Sequence, residues 1–440
     1  MFKKRIIFMA FFMILPFVFL MANPNTDTKE STVSNPIDGQ YSIIIEVYDW
    51  GPAVSEVILS MDENVTEAKA SDFEVIVERS AEGVEMGADE AKGSREVIYA
   101  YVSDEKGNRV SEGNHISLVL FVGPDHVLGS PIKYIRTNNR GANQWIDYRM
   151  TITDTASEKI WNTESGRIQP LIDSFNLTGS FTHNDITLPF ASFAPDKTTG
   201  KSPLLIWLHG GGEGGNDASI PLIANKAANY ASNEIQSIFG GAHVLVPQSP
   251  TFWMQSASGE YTRGDTNDIY NEALMALIKN YVGDNPDIDT NRIYVGGCSN
   301  GGYMSLKLIL EHPDYFAAGY ISALAYQNQY ISDEQIQKIK DVPIWFVHSK
   351  EDQTTKPEET VVPVYNRLIG AGAENVHFSY YDHVIDLSGF YGGDDYRFNG
   401  HWSWIYSHAN HADFDFDGKP VVQDGRPVTI MEWMATQRKQ

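Results

Sequence analysis

The sequence predicts an α/β domain, with a mostly parallel sheet flanked by helices, preceded by an all-β sandwich of immunoglobulin type. Residues 37–155 contain short segments rich in β-branched and aromatic residues, separated by turn sequences. Residues 176–440 instead alternate continuous apolar runs with amphipathic stretches, a pattern typical of a parallel sheet covered on both faces. The polar, turn-rich segment 156–175 between them is predicted to be a linker.

The all-β prediction depends on the number and spacing of short strands. Six segments have strand character: 41–48, 53–59, 73–77, 96–102, 116–122 and 146–152. This spacing is typical of an immunoglobulin-like sandwich. No serine, histidine and acid set occurs in this part of the chain, so we expect it to be a structural or spacer domain.

The α/β prediction depends on six apolar runs and the helical patterns between them. The predicted strands are 204–208, 243–246, 293–295, 317–321, 343–347 and 376–381. The clearest helical patterns cover 267–281, 303–311 and 429–438. A hairpin at 180–194 is predicted to lead into this sheet.

Composition narrows the possible functions. Acidic residues outnumber basic ones, 57 to 33, for a formal charge of −24, which argues against binding to nucleic acid or to anionic membranes. Cys298 is the only cysteine, so no intrachain disulfide can form and we interpret it as a packing residue.

Residues 1–22, with a basic start and an apolar run, resemble a cleaved export signal. An uncleaved membrane anchor is the alternative.

The segment 292–304 carries the main chemical signal. Gly297-Cys298-Ser299-Asn300-Gly301 follows a predicted strand and opens a predicted helix, which is the context of a nucleophile elbow. Glycine is needed two residues before and after such a serine because side chains there would clash. Ser299 is therefore the predicted nucleophile.

A nucleophilic serine needs an acid and a histidine further along the chain. Asp352 follows the strand 343–347 and is preferred to its neighbour Glu351 as the acid. The histidines available as base are His383, His401, His408 and His411. Spacing alone favours His401, which follows Gly400 and precedes an apolar segment, over His383, which is nearest the last strand.

The oxyanion hole should consist of two backbone N–H groups. Asn300 follows the nucleophile, and Gly211 or Gly212 lies in the glycine-rich loop after strand 204–208. We expect His209 to brace this loop. Trp253 and Gln248, which follow the strand 243–246, are candidates for substrate contact, with core packing as the alternative.

Several stretches resemble a known family. LIWLHGGGEGG, HVLVPQSPTFW, NRIYVGGCSNGGYMSLKLILEHPDYFAA, PIWFVHSKEDQTTKP and NGHWSWIY are similar to α/β-hydrolase esterases related to feruloyl esterases, polyhydroxybutyrate depolymerases and prolyl-oligopeptidase-like hydrolases. VYDWGPAVSEVIL resembles the immunoglobulin-like domain found at the N-terminus of one branch of them. The resemblance implies an α/β-hydrolase fold with Ser299, Asp352 and His401 as the triad.

The main functional hypothesis is an exported enzyme that hydrolyses carboxylic esters, either small or linked to a polymer, without a cofactor or a metal. A prolyl-oligopeptidase-type serine peptidase is one alternative. A catalytically silent protein that binds a surface or a carbohydrate is another. The immunoglobulin-like domain could support homo-oligomers.

One segment raises the question of calcium. Residues 413–418, Asp-Phe-Asp-Phe-Asp-Gly, resemble the start of a calcium loop, with Asp424 at position twelve. Pro420 within the loop disfavours this interpretation, and a β-hairpin turn at Asp417-Gly418 explains the sequence more simply.

Overall fold

The computed structural model describes residues 39–136, 140–196 and 200–439. The predicted export segment, 1–22, lies outside these ranges. Within them, no helix is long and apolar enough to cross a membrane.

The first domain is all-β, as predicted, and most of its strand pairs are antiparallel. In the described residues its strands β1 to β10 are Gly39–Tyr48, Gly51–Val65, Phe73–Ser80, Lys92–Arg95, Val97–Ser103, Gly113–Leu120, Ile132–Arg136, Gly141–Trp145, Asp147–Asp154 and Ile160–Ile168. Helix α1, Ala88–Ala91, precedes β4. Eight strands form one sheet in the order β4-β3-β9-β10-β1-β2-β6-β5, and β7 pairs with β8 in a separate hairpin.

Period-two burial explains why these strands enclose a core. Along β1, for example, the buried residues are Tyr41, Ile43 and Ile45, so alternate side chains face inward. Trp161, which is 0% exposed, pairs with Ile152 of β9 and also with the start of β1. The two halves of the sheet therefore meet at this tryptophan and share one apolar core.

The segment predicted as a linker contains strand β10. Its backbone pairs in parallel with β1 over six residue pairs, from Trp161 with Gly39 to Ile168 with Ile44. The polar side chains that indicated a linker are partly exposed on this strand. The linker prediction was wrong here because only one side of the strand is covered, so that the strand has as many polar residues as a linker.

The second domain contains the predicted, mostly parallel sheet. Its strands β11 to β18 are Asn176–His183, Ile186–Phe193, Ser202–Leu208, His243–Pro247, Ile288–Cys298, Ala318–Ser322, Ile344–Ser349 and Val376–Tyr381. They are ordered β11-β12-β14-β13-β15-β16-β17-β18. Strand β12 runs antiparallel to both of its neighbours, β11 and β14, and all pairs from β14 to β18 are parallel.

Helices cover both faces of this sheet. In the described residues α2 to α9 are Ser219–Ala224, Asn233–Phe239, Asn271–Asp284, Asn300–Glu311, Asp333–Ile339, Val361–Gly370, Trp404–His408 and Ile430–Thr436. A short hairpin, β19 (Val422–Gln423) and β20 (Arg426–Pro427), precedes α9. The carboxyl ends of β13, β15 and β17 lie at one edge of the sheet, where open α/β sheets bind ligands.

Candidate active site

Ser299 occupies the sharp turn between β15 and α5. Its backbone has φ 54° and ψ −113°, a conformation that costs a non-glycine residue about 1–3 kcal/mol. Its N–H donates to the Ser322 carbonyl at 3.0 Å, and its carbonyl accepts from the Tyr303 N–H at 3.0 Å. The surrounding backbone therefore fixes the strained turn.

The two glycines of the motif allow this turn to pack against β13. A Cβ atom on Gly297 would lie 2.4 Å from the carbonyl oxygen of Leu208, and one on Gly301 would lie 1.9 Å from the same atom. Real Cβ contacts are never this short. The structure thus gives a specific steric reason for both glycines.

Asp352 follows β17 and is fully buried. One carboxylate oxygen accepts the backbone N–H groups of Thr354 and Thr355 at 2.8 and 2.9 Å. The other accepts the Thr355 hydroxyl at 2.8 Å and lies 2.8 Å from Nδ1 of His401. Burial by itself would raise the pKa of Asp352, but hydrogen bonds from His348 and His401 outweigh it and hold the pKa well below its usual range.

His401 lines the cleft, and Asp352 orients its ring. With Nδ1 donating to Asp352, Nε2 is left as an acceptor. The ring is 13% exposed and packs edge-on against Trp404. Gly400 permits this approach, since a Cβ atom there would lie 2.7 Å from the carbonyl carbon of Glu351.

The rival candidates lie elsewhere. His383 and Glu351 form a pair of their own, with Nδ1 2.9 Å from a carboxylate oxygen. His408 is buried, and burial lowers its pKa to about 3, while His411 stacks on Tyr406. Among the described residues, Asp352 therefore contacts the ring of His401 and not those of His383, His408 or His411.

His348 is a contact that sequence reasoning missed. It lies near the end of β17, and its Nε2–H points at Asp352 Oδ2 at 3.0 Å and at the Thr355 carbonyl at 2.9 Å. Its ring is buried, and burial lowers its pKa. Its position four residues before Asp352 was the signal that could have indicated this contact.

The glycine-rich loop lies beside the start of α5. A Cβ atom on Gly211 would lie 3.9 Å from Cβ of Asn300, so the two predicted oxyanion donors are neighbours. His209 braces the loop as expected. Its Nδ1–H donates to the Gly210 carbonyl at 2.6 Å, its Nε2 accepts the Ser249 N–H at 3.0 Å, and burial lowers its pKa to about 4.

Ser299, His401 and the glycine loop line one cleft of about 660 Å³. Aromatic side chains form much of its wall: Trp50, Tyr134, Tyr261, Trp402 and Trp404. The first two belong to the immunoglobulin-like domain, which also contributes Asp49, Arg136 and Asn143. The sequence did not predict this contribution, because no local motif marks contacts between distant segments.

Trp253 and Gln248 do not lie where their predicted role in substrate contact requires. They are 0% and 1% exposed, and neither lines the cleft. Trp253 packs against His209 and Tyr270, and the Gln248 amide donates to the Glu213 carbonyl at 2.8 Å. Both residues lie behind the loop and support it. The prediction was wrong because a position after a strand does not specify on which side of the loop the chain continues.

The segment 413–418 forms a tight turn. Phe414 bridges Pro420, and the Gly418 N–H donates to the Asp415 carbonyl at 2.8 Å. The Asp415 carboxylate accepts from the backbone of Phe378 and lies 2.7 Å from His377 Nδ1. Within residues 39–136, 140–196 and 200–439, no group of three or more His, Cys, Asp or Glu side chains could hold a metal ion.

The steric role of Gly301 can be tested by Gly301→Ala. The added methyl group would meet backbone atoms, so we expect a loss of more than about 3 kcal/mol in the free energy of unfolding, together with loss of reactivity at Ser299. Gly283→Ala is the matched control, because Gly283 lies in α4 with nothing within 4 Å of the added atom, and it should stabilise by about 0.5–1 kcal/mol. Urea unfolding measures both, and equal midpoints would contradict the steric account.

The buried Glu213 carboxyl should give the stability a distinct pH dependence. Burial raises its pKa from 4.5 to about 7, partly offset by hydrogen bonds from Asn143 and Asn225 and by the charge of His401. Between these two values the folded chain keeps a proton that the unfolded chain releases, so stability falls as pH rises through this window.

Glu213→Gln removes this titration. The difference in unfolding free energy between the wild type and this variant should therefore change by up to about 3 kcal/mol from pH 4 to pH 8, with the wild type losing stability. Glu234→Gln, on the exposed face of α3, is the control and should run parallel to the wild type. A Glu213→Gln curve that is also parallel would contradict the assignment.

Comparisons with known proteins agree with this architecture. Residues 40–164 match the family described as the esterase Ig-like N-terminal domain, and residues 251–337 match the prolyl oligopeptidase family. A solved structure described as a thermostable esterase is similar at a TM-score of 0.70 and 21% identity, covering 90% of this chain and 99% of its own. The shared fold thus extends over both domains.

Two further similarities are partial. The acylaminoacyl peptidase of Pyrococcus horikoshii is 16% identical at a TM-score of 0.38, over 60% of this chain and 45% of that one. A Schizosaccharomyces pombe protein, provisionally named as a dipeptidyl aminopeptidase, is 34% identical over 70 residues. That segment is 16% of this chain and 8% of the yeast protein.

The resemblance predicted from the sequence is confirmed for both domains. The chain carries a domain that matches the esterase Ig-like N-terminal type, in front of a domain with the α/β-hydrolase fold.

Proposed function

We propose that this protein is a serine hydrolase that cleaves carboxylic esters through an acyl-enzyme on Ser299. One observation carries the proposal: the strained serine of the elbow shares a cleft with a histidine whose Nδ1 lies 2.8 Å from a buried carboxylate. Export, predicted from residues 1–22, belongs to the same proposal.

The proposed reaction has two steps, acylation and deacylation of Ser299. The Ser299 hydroxyl attacks the ester carbonyl carbon while His401 Nε2 takes its proton. Backbone N–H groups of Asn300 and of Gly211 or Gly212 stabilise the oxyanion. The alcohol leaves with the proton from His401. Water then attacks the acyl carbon while His401 takes its proton, and the bond to Ser299 Oγ breaks as His401 returns that proton to the serine, which releases the carboxylic acid. Asp352 orients the imidazole and stabilises its charged form.

The walls of the cleft favour a small ester over a polymer or a long peptide. A volume of about 660 Å³ is within the range of pockets that bind small ligands. One side is closed by the immunoglobulin-like domain, through Trp50 and Tyr134. The aromatic lining suits an apolar acyl or alcohol group.

A serine peptidase is the second candidate. It is favoured by the match of residues 251–337 to the prolyl oligopeptidase family, and the same serine, histidine and acid would serve it. A catalytically silent binding protein is disfavoured, because it has no need for a strained serine beside a buried Asp–His pair.

The test compares substrates and variants. The wild type should hydrolyse p-nitrophenyl acetate and butyrate with a higher kcat/KM than dipeptidyl p-nitroanilides. Ser299→Ala should lower kcat for esters by at least about 10³-fold, because the nucleophile is lost while the fold is kept. Asp352→Asn and His401→Ala should also lower it strongly.

Ser237→Ala is the matched control, since Ser237 lies on α3, away from the cleft, and it should keep wild-type activity. If peptides are cleaved faster than esters, the peptidase candidate is correct. Wild-type turnover in Ser299→Ala would contradict both.

A further inference from the structure

The β7–β8 hairpin of the immunoglobulin-like domain reaches the loop that carries the predicted oxyanion donors. The backbone N–H of Asn143, on β8, donates to the Gly212 carbonyl at 2.7 Å. The side-chain amide of the same residue donates to Oε1 of Glu213 at 2.9 Å. Just before β8, the Arg140 guanidinium contacts the Gly214 carbonyl at 3.2 Å. One hairpin thus contacts three consecutive residues of the loop.

The loop is held from its other side by the chain that follows β14. The Gln248 amide donates to the Glu213 carbonyl at 2.8 Å, and the Gly215 N–H donates to the Ser249 carbonyl at 2.9 Å. The Glu213 side chain lies between these supports and is 5% exposed. Its second carboxyl oxygen lies over Gly210, where a Cβ atom would be 2.9 Å away.

This support matters because the loop has little stiffness of its own. Five of the six residues in 210–215 are glycine, and glycine has the largest backbone freedom of any residue. An oxyanion hole works only if its N–H groups are already aimed at the developing charge, within a few tenths of an ångström. The stiffness must therefore come from neighbouring groups.

We propose that Asn143 and Glu213 are positioning residues, whose hydrogen bond fixes the oxyanion loop against the immunoglobulin-like domain. This inference depends on the proposed function, since it names what aligns the site of that reaction. It assigns the first domain a part in the catalytic site, beyond the spacer role expected from its sequence.

The decisive variant is Asn143→Ala, which removes the side-chain hydrogen bond and leaves the backbone hairpin in place. Loss of alignment acts on the transition state more than on substrate binding. We therefore expect kcat for p-nitrophenyl butyrate to fall about 10- to 100-fold, with KM changed by less than about threefold. Near-UV circular dichroism checks that the variant is folded.

Trp145→Phe is the matched control. Trp145 is on the same strand and donates a hydrogen bond across the domain boundary, at 2.9 Å, to the hydroxyl of Ser219, a residue outside the loop 210–215. If cross-domain contacts matter only for docking, this variant and Asn143→Ala should lose activity equally. The proposal predicts that Trp145→Phe stays within about twofold of the wild type.

A rescue experiment removes the remaining structural explanation. Asn143→Asp alone places a second carboxyl group against Glu213 and should lower kcat at least as much as Asn143→Ala. The double variant Asn143→Asp/Glu213→Gln restores the hydrogen bond with donor and acceptor exchanged, and should regain much of the lost kcat. This pair also carries the test if Asn143→Ala does not fold.

The rate at which a fluorophosphonate labels Ser299 separates this proposal from the proposed function. Labelling uses the same oxyanion hole but does not depend on which substrate the enzyme prefers. If the wild type is labelled and all variants are labelled at the same rate, the positioning role alone is overturned. A kcat of Asn143→Ala within twofold of the wild type, or a double variant that regains no kcat, would also overturn the positioning role alone. No labelling of the wild type would overturn the proposed function and this inference together.

Discussion

The candidate active site is organised around the carbonyl oxygen of Leu208, at the end of β13. Gly297 and Gly301 both pack against this atom, so closely that neither position has room for a side chain. The contact brings β13, β15 and α5 together and confines Ser299 to its strained turn. Because Leu208 also immediately precedes the glycine loop, the same contact sets the distance between the serine and the loop.

A second organising group is the Asp352 carboxylate. It is buried, yet hydrogen bonds from Thr354, Thr355, His348 and His401 keep it ionised. A buried charge without such partners would be strongly unfavourable. The turn after β17 thus makes a stable anion that holds His401 in one tautomer and one orientation. His348 adds a donor to the same carboxylate oxygen that contacts His401.

The sequence was most informative where chemistry imposes a local pattern. The glycines around Ser299, the acid after a buried strand, and the histidine next to Gly400 each leave a signature within a few residues. Spacing favoured His401 over His383, and the family resemblance strengthened that choice. In the structure His383, which lies nearer the strand, pairs with Glu351 instead. The linker prediction was incorrect at 160–168 because a half-exposed strand can be as polar as a linker.

Contacts between distant segments could not be predicted in this way. Asn143 lies 69 positions before Gly212 in the sequence, and nothing near either residue indicates that they meet. Trp253 and Gln248 were assigned to the cleft from their position after β14, whereas the chain there turns behind the glycine loop. The immunoglobulin-like domain consequently looked like an appendage, although it forms one wall of the cleft.

In the proposed reaction Ser299 is the residue that becomes acylated. The most direct measurement is mass spectrometry of the protein quenched during turnover of a slowly hydrolysed ester, p-nitrophenyl trimethylacetate. Tryptic cleavage after Arg292 and Lys307 gives the peptide 293–307, which contains Ser299 and Ser305. We expect one trimethylacetyl group per chain, assigned by fragmentation to Ser299. An acyl group on Ser305 or on another peptide, or rapid turnover with no acylated residue, would contradict it.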